Sequence, residues 1–158
     1  MPLRFVLDTL EESECDAIVY AGTAAALAEG TDPAPGTDIE EERRIFATFG
    51  EDEARITYAN DLYCTYVIHI PSPVWAGDGG DAGRLAHCYR VCLQLAAEHD
   101  CRSIAFPLLG GGRCGFPEEE ALRCAAEILG AEEKLDVELL FADQDALDRA
   151  SVRYPAFA

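Results

Sequence analysis

Short apolar runs alternate with segments of helical pattern along this chain, and this alternation constrains the fold more than any other feature. Six of the runs have the β-rich or continuously apolar character of strands, namely residues 4–7, 16–21, 54–58, 66–70, 103–109 and 135–142. Because helices that link strands make crossover connections, the pattern predicts an α/β sandwich with a largely parallel central sheet.

Four helices are predicted after these strands, and sequence signals mark their ends. The signals for a helix start are a capping-box pattern at Thr37 and Glu40, Asp81, Pro117 and Asp143. Gly130 suits the end of the helix that Pro117 opens. The chain has no internal repeat and no long linker, so we expect one domain over residues 1–158.

The chain is strongly acidic, with 30 acidic and 12 basic residues and a formal net charge of -18. Such a surface repels duplex DNA and anionic lipid, so we expect neither nucleic acid nor a membrane as a partner. A phosphate ligand then needs backbone amides or one well-placed arginine. No run approaches a membrane span and the first residues lack a signal-peptide pattern, so we expect a cytoplasmic protein.

The seven cysteines are spread along the chain without a CxxC pair. Cys88 and Cys92 lie one helical turn apart beside His87, but their spacing fits small core residues in a reducing compartment better than a metal site. We therefore predict neither a metal nor a cofactor.

Residues 106–117 read FPLLGGGRCGFP, between a predicted strand and a predicted helix. Gly110, Gly112 and Gly115 formally satisfy GxGxxG, but the motif lies late in the chain and a proline follows it. The spacing also suits a P-loop, yet Phe116 and Pro117 stand where Lys and Ser/Thr belong. Both motifs place glycine amides and a helix N-terminus at the end of a strand, and this shared arrangement predicts an anion site.

Several segments in the right order resemble macro domains. They are CDAIVYAGT (15–23), YVIHIPSPVW (66–75), LAHCYRVCLQLAAE (85–98) and CRSIAFPLLGGGRCGFPEEEALRCAAEIL (101–129). The resemblance implies a three-layer sandwich with a mixed central sheet between helices. It also implies an ADP-ribose cleft at the carboxyl ends of the strands, where two loops hold the diphosphate.

The resemblance also assigns residues to the cleft. Asp8, followed by Thr9, would accept a hydrogen bond from the adenine amino group, and Phe116 would lie beside the second loop. That loop would comprise Gly110, Gly111, Gly112, Arg113, Cys114 and Gly115.

Other positions depart from the family pattern. Tyr20, Ala21, Gly22 and Thr23 replace the family's Asn-Ala-Ala-Asn, and no glycine-rich first loop with its aspartate follows. Ser72 replaces a glycine, Cys114 an aromatic residue, and Ala142 the aromatic that stacks on adenine, unless Phe141 turns that way.

These departures favour a module that binds ADP-ribose or a related nucleotide diphosphate with weak or no hydrolysis, so no catalytic residue is assigned. An ADP-ribosylated protein is a further candidate partner. One alternative is an ADP-ribosyl hydrolase with a rearranged first loop, to which Asp32 or Asp38 would contribute. Another is a ligand-free scaffold for protein contacts. No base for a Cys114 nucleophile can be identified, and Arg113 fits a phosphate contact and a surface ion pair equally well.

Overall fold

The computed structural model describes residues 2–22, 54–59, 62–111 and 114–158. The predicted helix at residues 39–49, with its Thr37 and Glu40 signal, lies outside the described residues, as do Asp32 and Asp38.

The centre of the described structure is a six-stranded sheet. Its strands are β1 (Leu3–Leu7), β2 (Ala17–Gly22), β3 (Arg55–Tyr58), β4 (Tyr66–Pro71), β5 (Ser103–Pro107) and β6 (Asp136–Phe141). The order across the sheet is β1-β6-β5-β2-β4-β3, and every neighbouring pair is parallel except β3 and β4. This confirms the predicted mixed sheet, and it brings the carboxyl ends of five strands to one edge.

Three helices pack on one face of the sheet: α1 (Asp81–Glu98), α2 (Glu118–Gly130) and α3 (Gln144–Arg153). Short 3-10 turns lie at Leu10–Glu12 and Pro155–Phe157. Among the helices in the described part of the chain, none is both long and apolar enough to cross a membrane.

The strands β2, β4 and β5 are largely apolar because both faces of the sheet are buried. Along β2, Ala17 and Val19 belong to the core beneath the helices, whereas Ile18 belongs to a second cluster with Val67 and Ala105 on the opposite face. A sheet that buries both faces is what a sandwich fold requires, so the predicted fold class is confirmed. All seven cysteines are free and buried, as expected for small core residues.

The predicted helix signals have mixed outcomes. The Asp143 side chain caps α3 by accepting a bond of 2.8 Å from the Ala146 amide, which confirms that signal. Asp81 does not cap α1, since it is the first helical residue and its carboxylate bonds to the loop before it. Pro117 is the N-cap of α2 and not its first helical residue.

Gly130 is the last residue of α2, as predicted, and it also has a packing role that the sequence pattern did not show. It is the last helical residue, and a Cβ there would lie 2.9 Å from Cζ of Phe157. The glycine therefore lets the C-terminal aromatic ring pack closely against the helix.

Candidate functional site

The carboxyl edge of the sheet gathers most of the predicted site residues. Asp8 and Thr9 follow β1, Ser72 follows β4, and Ala142 follows β6. Ala21 and Gly22 end β2, and Gly22 is in register with Pro71 at the end of β4. The predicted residues Thr23, Gly112 and Arg113 lie outside the described residues.

The glycine loop, which we define as residues 108–117 between β5 and α2, is held at its base by two side chains. The Leu109 amide donates to the Tyr89 hydroxyl at 3.0 Å, and the Gly110 amide donates to Ser72 Oγ at 3.1 Å. Tyr89 is fully buried and Ser72 is 9% exposed. β5 therefore ends at Pro107 and not at residue 109, because the next amides bond to side chains outside the sheet.

Position 110 requires a glycine for two reasons. Its φ is +86°, and a Cβ would lie 2.9 Å from Cγ of Phe116. Phe116 closes the turn, since its amide donates to the Gly110 carbonyl at 3.0 Å. The backbone at Gly110 is thus set by packing inside the protein.

Four of the described amides of the glycine loop already have acceptors. Besides those of Leu109 and Gly110, the Cys114 and Phe116 amides donate to loop carbonyls. Among the described residues from Leu109 to Phe116, the Gly111 and Gly115 amides have no protein acceptor. We therefore infer that these two amides are the donors that the described part of the loop offers to an anion.

The N-terminus of α2 carries its own negative charge. Glu118, Glu119 and Glu120 form the first turn. The first two pair with arginines of α3, Arg149 with Glu118 and Arg153 with Glu119, each at 2.9 Å. The carboxylates interact favourably with the positive end of the helix dipole, and the two arginines partly neutralise their negative charge.

Trp75 joins the loop after β4 to the glycine loop. Its amide donates to the Cys114 carbonyl at 2.7 Å, and its ring meets the Phe116 ring edge-on at 5.2 Å between centroids. Phe116 is 7% exposed, so it packs beneath the loop. Trp75 is thus a packing residue, with 38% of its surface still accessible.

The end of the carboxyl edge that is predicted to contact the nucleobase contains fewer side-chain contacts. Asp8 is half-buried, its amide donates to the Phe141 carbonyl at 3.2 Å, and its Oδ1 accepts the Thr9 amide at 2.8 Å. Phe141 does not turn into the cleft, because it is buried and packs edge-on against Phe5 at 5.4 Å. Ala142 is exposed and presents no ring.

No histidine in the described part of the chain is bonded to Cys114, which is itself buried. His69 bonds to Oγ1 of Thr57 at 2.9 Å, and burial lowers the pKa of its imidazole to about 4. His99 bonds to the Leu95 carbonyl, and His87 is exposed on α1. Among the described residues, therefore, Cys114 has no histidine base paired with it.

Sequence reasoning missed Tyr89 and Asp81 as supports of the site. Tyr89 lies on the apolar face of α1 with Leu85, Cys88 and Cys92, and its hydroxyl needs a buried partner. That polar group on an otherwise apolar stripe is the signal from which its bond to a neighbouring loop could have been suspected.

Comparisons with known proteins agree with this geometry. A family model described as Macro domain matches residues 21–125. A macro domain-containing protein of Chlorobaculum tepidum is 38% identical over 142 residues, which cover 82% of this chain and 83% of the relative. Another, from Mesorhizobium japonicum, is 37% identical over 125 residues, covering 75% of this chain and 71% of the relative.

Solved structures share the fold. The Oceanobacillus iheyensis macrodomain with ADP has a TM-score of 0.79 and 21% identity, covering 96% of this chain and 90% of that one. The Trypanosoma brucei macrodomain in complex with ADP has a TM-score of 0.71 and 24% identity, covering 94% of this chain and 66% of that one.

Proposed function

This chain belongs to the macro domain family, as its motifs predicted, and from that premise we propose that it binds ADP-ribose or a related nucleotide diphosphate at the carboxyl edge of the sheet. The observation that carries the proposal is the start of the glycine loop, where Tyr89, Ser72 and Phe116 hold the backbone of Leu109 and Gly110. A loop ordered before binding loses little entropy when the ligand arrives.

The ligands of similar structures support the choice of a diphosphate. Two neighbours are titled as complexes with ADP, and an Oceanobacillus iheyensis macrodomain variant is titled as bound to ADPR. In our proposal the Gly111 and Gly115 amides donate to the diphosphate, and Asp8 accepts from the adenine amino group. Ala21, Gly22 and Ala142 line the edge, and Thr23, Gly112, Arg113 and Cys114 complete the ligand's surroundings.

We further propose that hydrolysis is weak or absent. Cys114 has no histidine bonded to it, and Oδ1 of Asp8 is engaged by the Thr9 amide. Hydrolysis needs a polar group that orients the attacking water, and its misplacement costs orders of magnitude in rate. An ADP-ribosylated protein remains the proposed macromolecular partner, and the free cysteines support a reducing, cytoplasmic location.

Thermal unfolding with and without ADP-ribose tests the proposal, with AMP and NAD as comparators. A ligand at about 100 times its dissociation constant adds roughly 2.7 kcal/mol to the unfolding free energy, which corresponds to a shift of about 5–11 °C for a domain of this size. We expect the largest shift with ADP-ribose. Equal melting temperatures with and without all three ligands would contradict nucleotide binding and favour the scaffold.

A further inference from the structure

The loop from β4 to α1, residues 72–80, is anchored by a buried carboxylate. Asp81 is 3% exposed, and its two oxygens accept the Ala76 amide at 2.7 Å and the Gly77 amide at 2.9 Å. Burying a carboxylate is unfavourable unless it is fully hydrogen-bonded. These bonds, that of the Ala76 amide above all, lower the pKa of Asp81, so it is ionised at neutral pH and holds the backbone at these residues.

Arg84 supports this anchor from the next turn of α1. Its Nη2 donates to Asp81 at 2.9 Å and to Asp78 at 2.8 Å. Asp78 also accepts the Gly80 amide at 2.9 Å, but it is exposed and makes no bond to Ala76 or Gly77. The two aspartates therefore share a cation, while only Asp81 holds the loop next to Trp75.

Trp75 connects this anchor to the glycine loop. It is the residue before Ala76, and it contacts the second half of the glycine loop through the Cys114 carbonyl and the Phe116 ring. A Cβ on Gly115 would lie 3.7 Å from the Trp75 Cβ, so the backbones also approach closely here. A shift at Ala76 would therefore move the segment that presents the Gly115 amide.

We propose that Asp81 is a positioning residue for the glycine loop, acting through Ala76 and Trp75 on Cys114 and Phe116. Tyr89 and Ser72 fix the first half of the loop, and Asp81 fixes the second half from the opposite side. The part of this inference that concerns ligand affinity rests on the proposed function, whereas the part that concerns loop position does not.

The test compares Asp81→Asn with Asp78→Asn, two identical chemical changes beside the same arginine. Trp75 is the chain's single tryptophan, so its fluorescence reports the loop directly. In Asp81→Asn we expect a red-shifted emission, stronger acrylamide quenching and a dissociation constant for ADP-ribose raised roughly tenfold, the equivalent of one buried hydrogen bond. We expect Asp78→Asn to leave the emission maximum unchanged, and both the quenching and the dissociation constant within about twofold of the wild-type values.

Two results would overturn the inference: unchanged Trp75 emission and quenching in folded Asp81→Asn, or an equal change in Asp78→Asn. If Asp81→Asn does not fold, Arg84→Met replaces it and should shift the emission in the same direction by less, while unchanged emission overturns the inference. If the wild-type protein binds no ADP-ribose, the proposed function fails, and the Trp75 emission still decides the role of Asp81.

Discussion

The two ends of the candidate site are built differently. At the glycine loop, fully or largely buried side chains hold the backbone. The hydroxyls of Tyr89 and Ser72 accept hydrogen bonds from two loop amides, and the Phe116 ring packs beneath Gly110. At the Asp8 end, a half-buried carboxylate is partly engaged by its own loop, and Ala142 supplies no ring. From this difference we expect binding energy to come mainly from the diphosphate and the nucleobase to be selected weakly.

The largest expected effect is on affinity, at Gly111. It has no positive φ, and its Cβ would be 3.4 Å from the Leu108 carbonyl, so a side chain is tolerated there. Gly111→Asp places a carboxylate beside the diphosphate, and two such charges about 4 Å apart near a surface repel by roughly 4 kcal/mol. Calorimetry should show ADP-ribose binding abolished.

Gly111→Asn is the matched control, since it has the same shape without the charge. We expect this variant to keep most of the wild-type affinity. Equal losses in both variants would mean that bulk and not charge matters at this position, and unchanged affinity in Gly111→Asp would remove the loop from the site.

The next effect is on the loop's conformation, at Gly110. Gly110→Ala forces an alanine to φ +86° and pushes its Cβ into Phe116, which should lower the unfolding free energy by about 2–3 kcal/mol. Denaturant unfolding measures this. Gly111→Ala, one residue on, should change the value by less than about 0.5 kcal/mol. Similar values for the two alanines would show that the turn is not constrained by packing.

A smaller effect is expected at the base of the loop. Tyr89→Phe leaves the buried Leu109 amide without its acceptor, which should cost about 1–2 kcal/mol of unfolding free energy. Tyr63→Phe removes a hydroxyl from a ring that is largely exposed, so it serves as the control and should be near neutral. A neutral Tyr89→Phe would mean that the loop finds another acceptor at no cost.

The smallest effect is a gain at the nucleobase end. Ala142→Phe supplies a ring where the exposed alanine offers none, and stacking on adenine should improve ADP affinity by about 1 kcal/mol, roughly fivefold. Ala142→Leu adds apolar surface without an aromatic face and should gain less. If leucine matches phenylalanine, or neither improves binding, the missing ring does not limit affinity.

The sequence predicted what local pattern determines. The strands β2, β4 and β5 were identifiable because both of their faces are buried. Asp143 was identifiable as a helix cap because its hydrogen bond joins residues only three positions apart. Contacts between distant segments were not predictable in this way. The packing of Phe157 on Gly130 and the bond from Leu109 to Tyr89 join residues about 20 or more positions apart, and periodicity carries no information about such pairs.

The glycine loop was predictable in part. Its glycines predicted an anion site, and the strand and helix on either side of it were predicted, although the strand ends two residues earlier and the helix begins one residue later than expected. The acceptors of four of its amides come from the residue after β4, from α1 and from the loop's own carbonyls, and only the folded chain brings them together. Ser72 is predicted to touch the ligand, and the sequence did not show that its hydroxyl also accepts the Gly110 amide.

Calorimetric titration with ADP, AMP and IDP tests most directly whether the diphosphate end dominates. AMP lacks the second phosphate, whereas IDP has a carbonyl oxygen and a protonated N1 in place of the amino group from which Asp8 would accept a hydrogen bond. We predict that AMP binds roughly 100-fold more weakly than ADP, whereas IDP binds within about tenfold of it. AMP binding as tightly as ADP, with IDP binding far more weakly, would contradict the central role of the glycine loop and place the binding energy at Asp8.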